Sequence, residues 1–325
     1  MKAFVTGGTG FVGSHLVEAL IADPDYSEVR CLVRSSDKWL TGLDFTRVTG
    51  DLFDLKAIGK ALEGVDVIFH NAAILRASSK REFTRANVEA TENLIRLAQK
   101  KGVTNFVITS SIAAAGPSSG VPLTEKARMK PVSMYGESKK EMETIIHKIA
   151  SKSDSIKILR PPAVYGPRES DIYTFFKTFK AGISPIVGDG NHPRLSLVYV
   201  SDLVNGIMLS AKKTDAGIHT YFLGGVDNEY SWNQITRITS IVMGKKALKI
   251  KLKPEWVKKL GSIIENAASL FGKYPVVNKE KTTEMVLEWV CSSDKARKEL
   301  GYNPVMTIQE GFSRTIRWYK KHNWL

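Results

Sequence analysis

Short hydrophobic segments alternate with helical patterns along the first 165 residues of the chain. The strand-like segments are rich in β-branched and aromatic residues, and they lie at 2–7, 29–33, 47–52, 65–73, 105–111 and 156–166. Helical patterns fit between them, at 11–22, 54–63, 82–101 and 134–151. Strands that alternate with helices predict an α/β fold with a parallel, doubly wound sheet. In such sheets ligands bind outside the carboxyl ends of the strands.

Beyond residue 166 the pattern is less regular, with Gly and Pro signals between 182 and 193. A strand followed by a helix fits 195–211, and a short strand fits 218–224. The rest is mostly helical, at 231–243, 254–272, 279–290 and 307–321. We therefore expect a second, smaller and mostly helical part of the molecule after residue 166.

Composition places the chain among ordinary globular proteins. Its 325 residues are 43% hydrophobic and 25% charged, which allows a sizeable core and argues against disorder. Cys31 and Cys291 stand far apart, so they form neither a metal-ligand spacing nor a disulfide framework, and we expect no metal site. A strand that begins at Lys2 or Ala3 leaves no room for a signal peptide, and no apolar run approaches the roughly 20 residues of a membrane span. These features predict a cytoplasmic protein.

The chain is basic, with 47 Lys and Arg against 33 Asp and Glu and a net charge of +14. Such a balance favours solubility or the attraction of anionic ligands, including a phosphorylated cofactor. We find no recognition motif for nucleic acid and expect no such partner. Seven lysines cluster between 245 and 259, and a charge run of this kind is typical of a solvated face.

A glycine-rich loop follows the first strand. Residues 6–13 read TGGTGFVG, and Gly7, Gly10 and Gly13 allow a tight turn and close approach of the backbone to a pyrophosphate. The helix that follows offers the N–H groups of its first residues, Phe11 and Val12, and its positive end to that anion. A plain strand-to-helix turn is the alternative. The position directly after a strand and before a helix favours a dinucleotide-binding loop.

The end of the second strand bears on which cofactor binds. A site that prefers NAD usually has an acidic residue about 20 positions beyond the glycines. Here the segment reads Val33-Arg34-Ser35-Ser36-Asp37-Lys38, with an arginine first. Arginine suits a bidentate contact with the 2′-phosphate of NADP, so we expect NADP(H), with NAD as the alternative cofactor. An exposed surface arginine is the competing interpretation.

The segment YGESK places Tyr135 and Lys139 one helical turn apart on the same face. A lysine ammonium beside a tyrosine favours the phenolate and lowers the pKa of the tyrosine toward neutral pH, where it can act as an acid and base. Ser110 and Ser111 end the fifth strand, and either can supply a hydroxyl that holds the substrate oxygen. The spacing therefore predicts proton-transfer chemistry, against the alternative of a structural surface tyrosine.

The same spacing recurs at Tyr173 and Lys177, which lie among phenylalanines and follow no strand that ends in a hydroxyl. We interpret this copy as a packing helix. The repeat shows that Tyr-x-x-x-Lys alone is a weak signal.

Together these segments resemble the extended short-chain dehydrogenases/reductases, the NAD-dependent epimerase/dehydratase superfamily. The resemblance covers nearly the whole chain and rests on TGGTGFVG (6–13), GDLFD (50–54), HNAA (70–73), NVEAT (87–91), TSSIAAAG (109–116), YGESK (135–139), LRPPAVYGP (159–167), RLSLVYVSDL (194–203) and SDKARKELGYNP (293–304). Dihydroflavonol 4-reductases, 3β-hydroxysteroid dehydrogenases and nucleotide-sugar epimerases/dehydratases are the most similar subgroups. The resemblance implies a Rossmann domain at 1–165, to which the chain returns near 195–224, and a substrate-binding domain at 166–325.

The resemblance also implies roles for individual residues. Ser111 matches the catalytic Ser/Thr, Tyr135 the proton donor and acceptor, and Lys139 a residue that also binds the nicotinamide ribose. Other positions correspond to cofactor contacts or to their support, namely Arg34 and Lys38 at the 2′-phosphate, Asp51 and Leu52 at the adenine, Ala72 and Ala73 in the groove, Asn87 as a structural asparagine, and Pro161 and Pro162 at the carboxamide. Members of the family are often homodimers that pair the helices near 82–101 and 134–151.

Two positions bear on the substrate. Many nucleotide-sugar epimerases carry an asparagine that holds the sugar nucleotide where this chain has Ala163. Arg194, in contrast, resembles the epimerases' arginine and could contact a diphosphate, or else form a salt bridge within the second domain.

The helical pattern at 254–272 places Trp256, Leu260, Ile263, Ile264, Ala267 and Phe271 on one face. Packing over the second domain is one interpretation. A lid, or a contact for an apolar substrate or a membrane surface, is the other.

Three hypotheses for the function follow. The first is a reductase or dehydrogenase that moves a hydride between NADP(H) and a carbonyl or secondary alcohol. The second is a nucleotide-sugar epimerase or dehydratase with a tightly held NAD(P), which returns the hydride. The third is a non-enzymatic cofactor-sensing or assembly protein on the same fold, against which the intact Ser111, Tyr135 and Lys139 argue. Ala163 and Arg34 favour the first hypothesis, and Arg194 favours the second.

Overall fold

The computed structural model describes residues 1–257, 259 and 279–325. Its strands are, in chain order, β1 (Lys2–Thr6), β2 (Glu28–Val33), β3 (Thr46–Thr49), β4 (Val67–His70), β5 (Asn105–Thr109), β6 (Ser155–Arg160), β7 (Ala163–Tyr165), β8 (Ile183–Val187), β9 (Leu197–Tyr199), β10 (Gly217–Phe222) and β11 (Leu248–Leu252). Seven of them form one parallel sheet in the order β10-β6-β5-β4-β1-β2-β3. The predicted doubly wound α/β fold is confirmed.

The described helices are α1 (Phe11–Ala22), α2 (Leu55–Ala61), α3 (Lys80–Phe83), α4 (Ala90–Lys100), α5 (Ile112–Ala115), α6 (Met134–Ile149), α7 (Asp171–Lys180), α8 (Val200–Lys212), α9 (Trp232–Met243), α10 (Lys279–Met285), α11 (Asp294–Leu300) and α12 (Ile308–Lys321). A π-helical segment, Thr84–Glu89, joins α3 to α4, so the predicted helix at 82–101 is continuous but not regular. In the described part of the chain no helix is long and apolar enough to cross a membrane.

The core lies on both faces of the large sheet. One apolar cluster contains residues of α1, α8 and α12, and the other contains residues of α2, α4 and α6. Central strands are therefore buried on both sides, and all four residues of β4 are buried. β10 brings the chain back to this sheet by pairing with β6.

The predicted strand at 156–166 is wrong in one respect, since it is two strands in two sheets. β6 belongs to the central sheet, whereas β7 pairs with β9 in a separate two-stranded sheet. Pro161 and Pro162 lie between them. Proline has no backbone N–H and cannot continue a ladder of hydrogen bonds, so the chain leaves the central sheet there.

The predicted helix at 279–290 ends early. α10 stops at Met285, and the residues after it form isolated bridges, Glu288 with Ser118 and Trp289 with Leu195. These bridges join segments that are far apart in the chain, so the local pattern of hydrophobic residues cannot predict them. β8 and β11, which pair with each other, and α11 were likewise not predicted.

The packing role expected of the Tyr173–Lys177 segment is confirmed, because α7 buries Phe176 and Phe179 completely. Tyr173 donates a hydrogen bond to the Trp324 carbonyl at 2.6 Å and so contributes to packing. Of the helix predicted at 254–272, residue 258 and residues 260–272 lie outside the described residues.

Candidate active site

The glycine loop between β1 and α1 forms a cradle that leaves no room for side chains. Gly7 has a φ of +72°, and a Cβ there would lie 2.6 Å from the Ala72 nitrogen. A Cβ on Gly13 would lie 2.1 Å from the Gly7 carbonyl oxygen. Gly10 precedes the helix without a capping side chain, and the first turn of α1, which begins with Phe11, contains no acidic residue. The positive end of α1 is thus open to an anion, and the loop fits the pyrophosphate of a dinucleotide.

The neighbouring strand end supports this loop through a buried histidine. The Thr6 hydroxyl pairs with His70 Nδ1 at 2.7 Å, and His70 Nε2 pairs with the Thr91 hydroxyl at 2.8 Å. Burial lowers the pKa of His70 to about 3, and the nearby charge of Lys139 acts in the same direction. Since Thr91 donates its own hydrogen to the Asn87 carbonyl, a neutral His70 donates from Nε2 and accepts at Nδ1. His70 therefore has a structural role.

The residues expected at the groove lie beside this histidine. The Ala72 N–H reaches the Thr6 hydroxyl at 3.4 Å, and both Ala72 and Ala73 are half-buried. Asn87 accepts a hydrogen bond from the Ile74 N–H at 2.9 Å and donates to the Ser138 hydroxyl at 3.0 Å. Asn87 therefore connects the loop after β4 to α6. It supports the groove and does not line it.

The end of β2 carries an exposed cation. Arg34 lines a surface pocket of about 550 Å³ together with Gly50, Asp51, Phe53 and Asp54. Asp51 is exposed, and its carboxylate accepts a hydrogen bond from the Phe53 N–H at 2.7 Å. Within the described residues, no ion pair of Arg34 is seen. The structure thus brings Arg34 and Asp51 to one pocket.

The acidic residue of this segment is already paired. Asp37 forms an ion pair with Arg47, which also donates to the Ser35 carbonyl at 3.0 Å. Lys38 is exposed and has a φ of +49°, and Leu52 is half-buried. No free carboxylate therefore follows β2 directly.

The two serines after β5 have different partners. The Ser110 hydroxyl is buried and donates to Glu143 Oε1 at 2.5 Å. Ser111 is half-buried and caps α5, where its hydroxyl oxygen accepts from the Ala113 N–H at 3.1 Å. The Ser111 hydroxyl also lies close enough to the Tyr135 phenol to lower the pKa of that phenol. Position at the strand end left both serines open and the family resemblance assigned Ser111, and it is Ser111 whose hydroxyl acts on the tyrosine.

The expected lowering of the Tyr135 pKa is wrong. Burial raises the pKa of Tyr135 to about 12, the Ser111 hydrogen bond opposes this, and the negative charge of Glu284 adds to it. Lys139 is not among the groups that shift this pKa, and its ammonium group donates to the Thr109 carbonyl at 2.9 Å.

Lys139 is buried, with 2% of the residue exposed. Burial lowers the pKa of this lysine to about 8, and the charge of Glu143 acts against that shift. Glu143, one further turn along α6, also pairs with Arg160 at 2.5 Å. Sequence reasoning missed both residues, although the spacing of Tyr135, Lys139 and Glu143 along one helix face was a usable signal.

Two carboxylates of α10 bind the start of α6. Glu284 accepts from the Ser133 hydroxyl at 2.6 Å, and Glu280 accepts from the Met134 N–H at 3.0 Å. Ser133 caps α6 directly before the tyrosine turn. These contacts join residues about 150 positions apart, and no local signal in the sequence points to them.

The remaining predicted residues lie at the second part of the molecule. Pro162 is buried between β6 and β7, and Ala163 is exposed at the start of β7. Arg194 forms ion pairs with Glu229 and, at 3.3 Å, with Glu288. Of the two interpretations of Arg194, the salt bridge within the second domain is the one seen.

Comparison with known proteins agrees with this geometry. The family model described as the NAD-dependent epimerase/dehydratase family matches residues 3–224. A ceramide reductase of Caulobacter vibrioides is 28% identical over 99% of this chain and 95% of its own length. A UDP-glucose 4-epimerase of Vibrio cholerae is 29% identical over 98% of this chain and 95% of its own length.

Solved structures share the fold over its full extent. DesIV, a dTDP-glucose 4,6-dehydratase from Streptomyces venezuelae with NAD bound, superimposes with a TM-score of 0.80 at 26% identity. The match covers 99% of this chain and 98% of that one.

Proposed function

The chain belongs to the NAD-dependent epimerase/dehydratase family, within the extended short-chain dehydrogenases/reductases, and on that premise we propose that it is an NADP(H)-dependent oxidoreductase acting on a carbonyl or secondary alcohol. One observation carries the proposal. The Ser111 hydroxyl lies close enough to the Tyr135 phenol to lower the pKa of that phenol, and Ser111 follows β5 at the same carboxyl edge of the sheet as the glycine loop that follows β1. That edge is where ligands of doubly wound sheets bind.

The residues divide the work in this proposal. Gly7, Gly10 and Gly13 hold the pyrophosphate against the first turn of α1, with the N–H groups of Phe11 and Val12. When bound, the nicotinamide supplies or accepts a hydride and, in its oxidised form, carries a positive charge. Tyr135 gives its proton to the substrate oxygen in reduction and takes one from the alcohol in oxidation.

The other two side chains act on that proton transfer. Ser111 orients the substrate oxygen through its hydroxyl, which also lowers the pKa of Tyr135. Lys139 holds a positive charge behind the tyrosine and binds the nicotinamide ribose, as the family resemblance implies. Its ammonium group is held by the Thr109 carbonyl, which keeps it at the strand edge.

The preference for NADP(H) rests on the end of β2. Arg34 is exposed at the rim of the pocket that Asp51 also lines, and the only carboxylate of the segment, Asp37, is paired with Arg47. Asp51 and Asp54 also line the pocket, but among the described residues the segment that directly follows β2 offers an unpaired arginine and no unpaired carboxylate, which favours a 2′-phosphate over a free 2′-hydroxyl. The solved dehydratase DesIV holds NAD, so NAD is the competing cofactor.

Redox chemistry is favoured over epimerisation by two positions. Ala163 has only a methyl side chain, which cannot form a hydrogen bond with a sugar nucleotide. Arg194 is engaged by Glu229 and Glu288, so its charge is already neutralised. The similarity to the ceramide reductase supports the same direction, whereas the similarity to the UDP-glucose 4-epimerase supports the second candidate.

A redox balance separates the two candidates. The purified protein is incubated with NADPH and a panel of ketones, and in parallel with UDP-glucose, and both the absorbance of NADPH and the products are measured. Stoichiometric loss of NADPH with formation of an alcohol supports the oxidoreductase. Conversion of a nucleotide sugar with no net change in NADPH would contradict the oxidoreductase and support an epimerase or dehydratase.

Tyr135→Phe tests the assigned chemistry. We expect turnover to fall by roughly 10²- to 10⁴-fold, because the proton donor is lost, while NADPH affinity stays within about twofold. Tyr173→Phe on α7 is the matched control, and it should leave turnover unchanged. Full turnover in Tyr135→Phe would show that the phenol is not the proton donor and would contradict the assigned chemistry.

A further inference from the structure

The charged side chains that line a groove on the second part of the molecule are all positive. The groove lies between α9 and β11, has a volume of about 750 Å³, and is lined by three cations, Arg237, Lys246 and Lys249. The rest of its described lining is amide, hydroxyl and apolar, and it contains no carboxylate. Such a surface attracts anions and offers many hydrogen-bond donors to phosphate oxygens.

Among the described residues, the cations around this groove outnumber the carboxylates near them. Lys245, Lys246, Lys249, Lys251 and Lys253 are all exposed, and in the described part of the chain none forms an ion pair with a carboxylate. Glu255 is the only acidic residue between positions 230 and 264 of the sequence. Asp189, after β8, lies close enough to Lys251 for that charge to lower its pKa, so one carboxylate faces these cations and the described surface keeps an excess of positive charge.

Large apolar side chains emerge between these lysines. Leu248 is 71% exposed and Trp256 65%, and Ile241 and Ile250 are exposed as well. Leu248 and Ile250 alternate with Lys249 and Lys251 along β11, which is an edge strand. Leu248 and Ile250 are two residues apart and therefore share one face of β11, and neighbouring exposed apolar side chains mark an interaction surface.

The pairing of tryptophan with lysine adds to this pattern. The Lys259 ammonium group lies 5.7 Å from the centroid of the Trp256 ring. Aromatic side chains flanked by lysines are typical of the interface between lipid headgroups and hydrocarbon, where the ring is half in each medium. The same mixture of cations and apolar side chains is required for reversible attachment to an anionic bilayer.

We propose that this surface, formed by β11, Trp256 and the groove beside α9, docks the protein onto an anionic lipid bilayer. The groove receives headgroup phosphates on Arg237, Lys246 and Lys249, and Leu248, Ile250 and Trp256 rest in the interfacial layer. The inference concerns a surface apart from Tyr135 and does not depend on the reaction proposed above.

Flotation of the full chain with vesicles tests the proposal. Vesicles of phosphatidylcholine alone are compared with vesicles of phosphatidylcholine and phosphatidylglycerol in equal parts. We expect the protein to float with the anionic vesicles only and to be released by about 0.5 M NaCl, which screens surface charge. Absence from the anionic vesicles would overturn the proposal.

A triple variant locates the surface. Lys246→Gln, Lys249→Gln and Lys251→Gln together should weaken the partition coefficient roughly a hundredfold, at about fivefold per lysine. The matched control removes the same charge elsewhere, with Lys56→Gln, Lys60→Gln and Lys298→Gln on α2 and α11, whose side chains are exposed. Equal weakening in both triple variants would mean that only net charge matters, and the surface would be rejected.

Two further arms separate a bilayer from a soluble anion. Trp256→Ala should weaken binding at low salt although it removes no charge, and Trp256→Phe should restore most of it. Inorganic phosphate at millimolar concentration should not displace the protein from vesicles. Displacement by phosphate would identify the groove as a site for small anions and contradict bilayer docking, and full binding by Trp256→Ala would overturn the assignment of Trp256 to the docking surface.

Discussion

At the residue scale, Lys139 carries its ammonium group in a nearly solvent-free position on α6. Burial lowers the pKa of Lys139 to about 8, and Glu143 opposes the shift. Glu143 does not need Lys139 as a partner, because Arg160 and Ser110 already bind its carboxylate. A buried cation of this kind is retained at a cost to stability, which points to a use in binding or catalysis.

This cost can be measured. Unfolded lysine has a pKa near 10.4, so between about pH 8 and 10.4 the unfolded chain binds a proton that the folded chain does not, and stability rises with pH. Below pH 8 the penalty of the buried charge is present in full. Lys139→Met should therefore raise the free energy of unfolding at pH 7 by about 2 kcal/mol and flatten the rise above pH 8.

Urea unfolding at roughly pH 6 to 10 covers that window and provides the measurement. Lys148→Met, at an exposed position of the same helix, is the control and should change stability by less than about 0.5 kcal/mol. A Lys139→Met variant less stable than the parent would show that the lysine is a structural cation.

Arg34 supports a prediction about cofactor choice. Arg34→Ser should weaken NADPH binding by roughly tenfold to a hundredfold, because a charge-assisted contact with the 2′-phosphate is lost, and should leave NADH binding nearly unchanged. Calorimetric titration of both cofactors measures this. Arg317→Ser on α12 removes an exposed arginine elsewhere and should change neither affinity. An equal loss of affinity for NADPH and NADH would show that Arg34 does not bind the 2′-phosphate.

At the element scale, the β1–α1 junction depends on backbone contacts that tolerate no side chain. The Gly10 N–H donates to the Gly7 carbonyl at 3.1 Å, which closes the turn before α1. The missing Cβ of Gly13 lets α1 approach that same carbonyl. The position of the helix end, and with it the anion cradle, is set by this approach.

Gly13→Ala should therefore displace α1 and weaken binding of either dinucleotide at least tenfold. The same substitution at Gly59 in α2 is the control, because its Cβ would meet nothing closer than 3.7 Å and alanine favours a helix. We expect Gly59→Ala to bind cofactor normally and to be slightly more stable. The affinity of each variant for the dinucleotide is measured by fluorescence titration. Normal affinity in Gly13→Ala would contradict the role of the glycine loop in binding the pyrophosphate.

At the scale of the whole molecule, ion pairs connect the second part of the chain to the first. Arg168, after β7, donates to the Ser14 hydroxyl at 2.9 Å and pairs with Glu18 at 2.5 Å, both on α1. Arg194 and Glu288 join two further segments. The division into a dinucleotide-binding domain at 1–165 and a substrate-binding domain at 166–325 stays a prediction.

The homodimer inferred from family resemblance also stays a prediction. Light scattering of the eluted protein should give twice the mass of one 36.0 kDa chain. Charge reversal of Lys100 on α4, which is exposed, should reduce that mass if α4 and α6 form the interface. A mass of one chain at all concentrations would exclude the dimer.

Local patterns served well where each residue's environment follows from its neighbours in the chain. α1 begins and ends at the predicted residues, Phe11 and Ala22, because a glycine loop and an apolar periodicity define it locally. The strand at 156–166 failed because the alternation continues through two prolines, and only the ladder partners reveal that β6 and β7 belong to different sheets.

The amino-acid sequence by itself determined the doubly wound sheet, the glycine cradle and the helix that carries Tyr135 and Lys139, since periodicity and spacing are properties of the chain alone. The tertiary structure decided which serine meets the tyrosine, which carboxylates hold Arg194, and in which direction the pKa of Tyr135 moves. Those outcomes depend on burial and on contacts such as Arg194 with Glu288, 94 residues apart. Electrostatic energy follows distance in space and access to water, and neither can be read from positions along the chain.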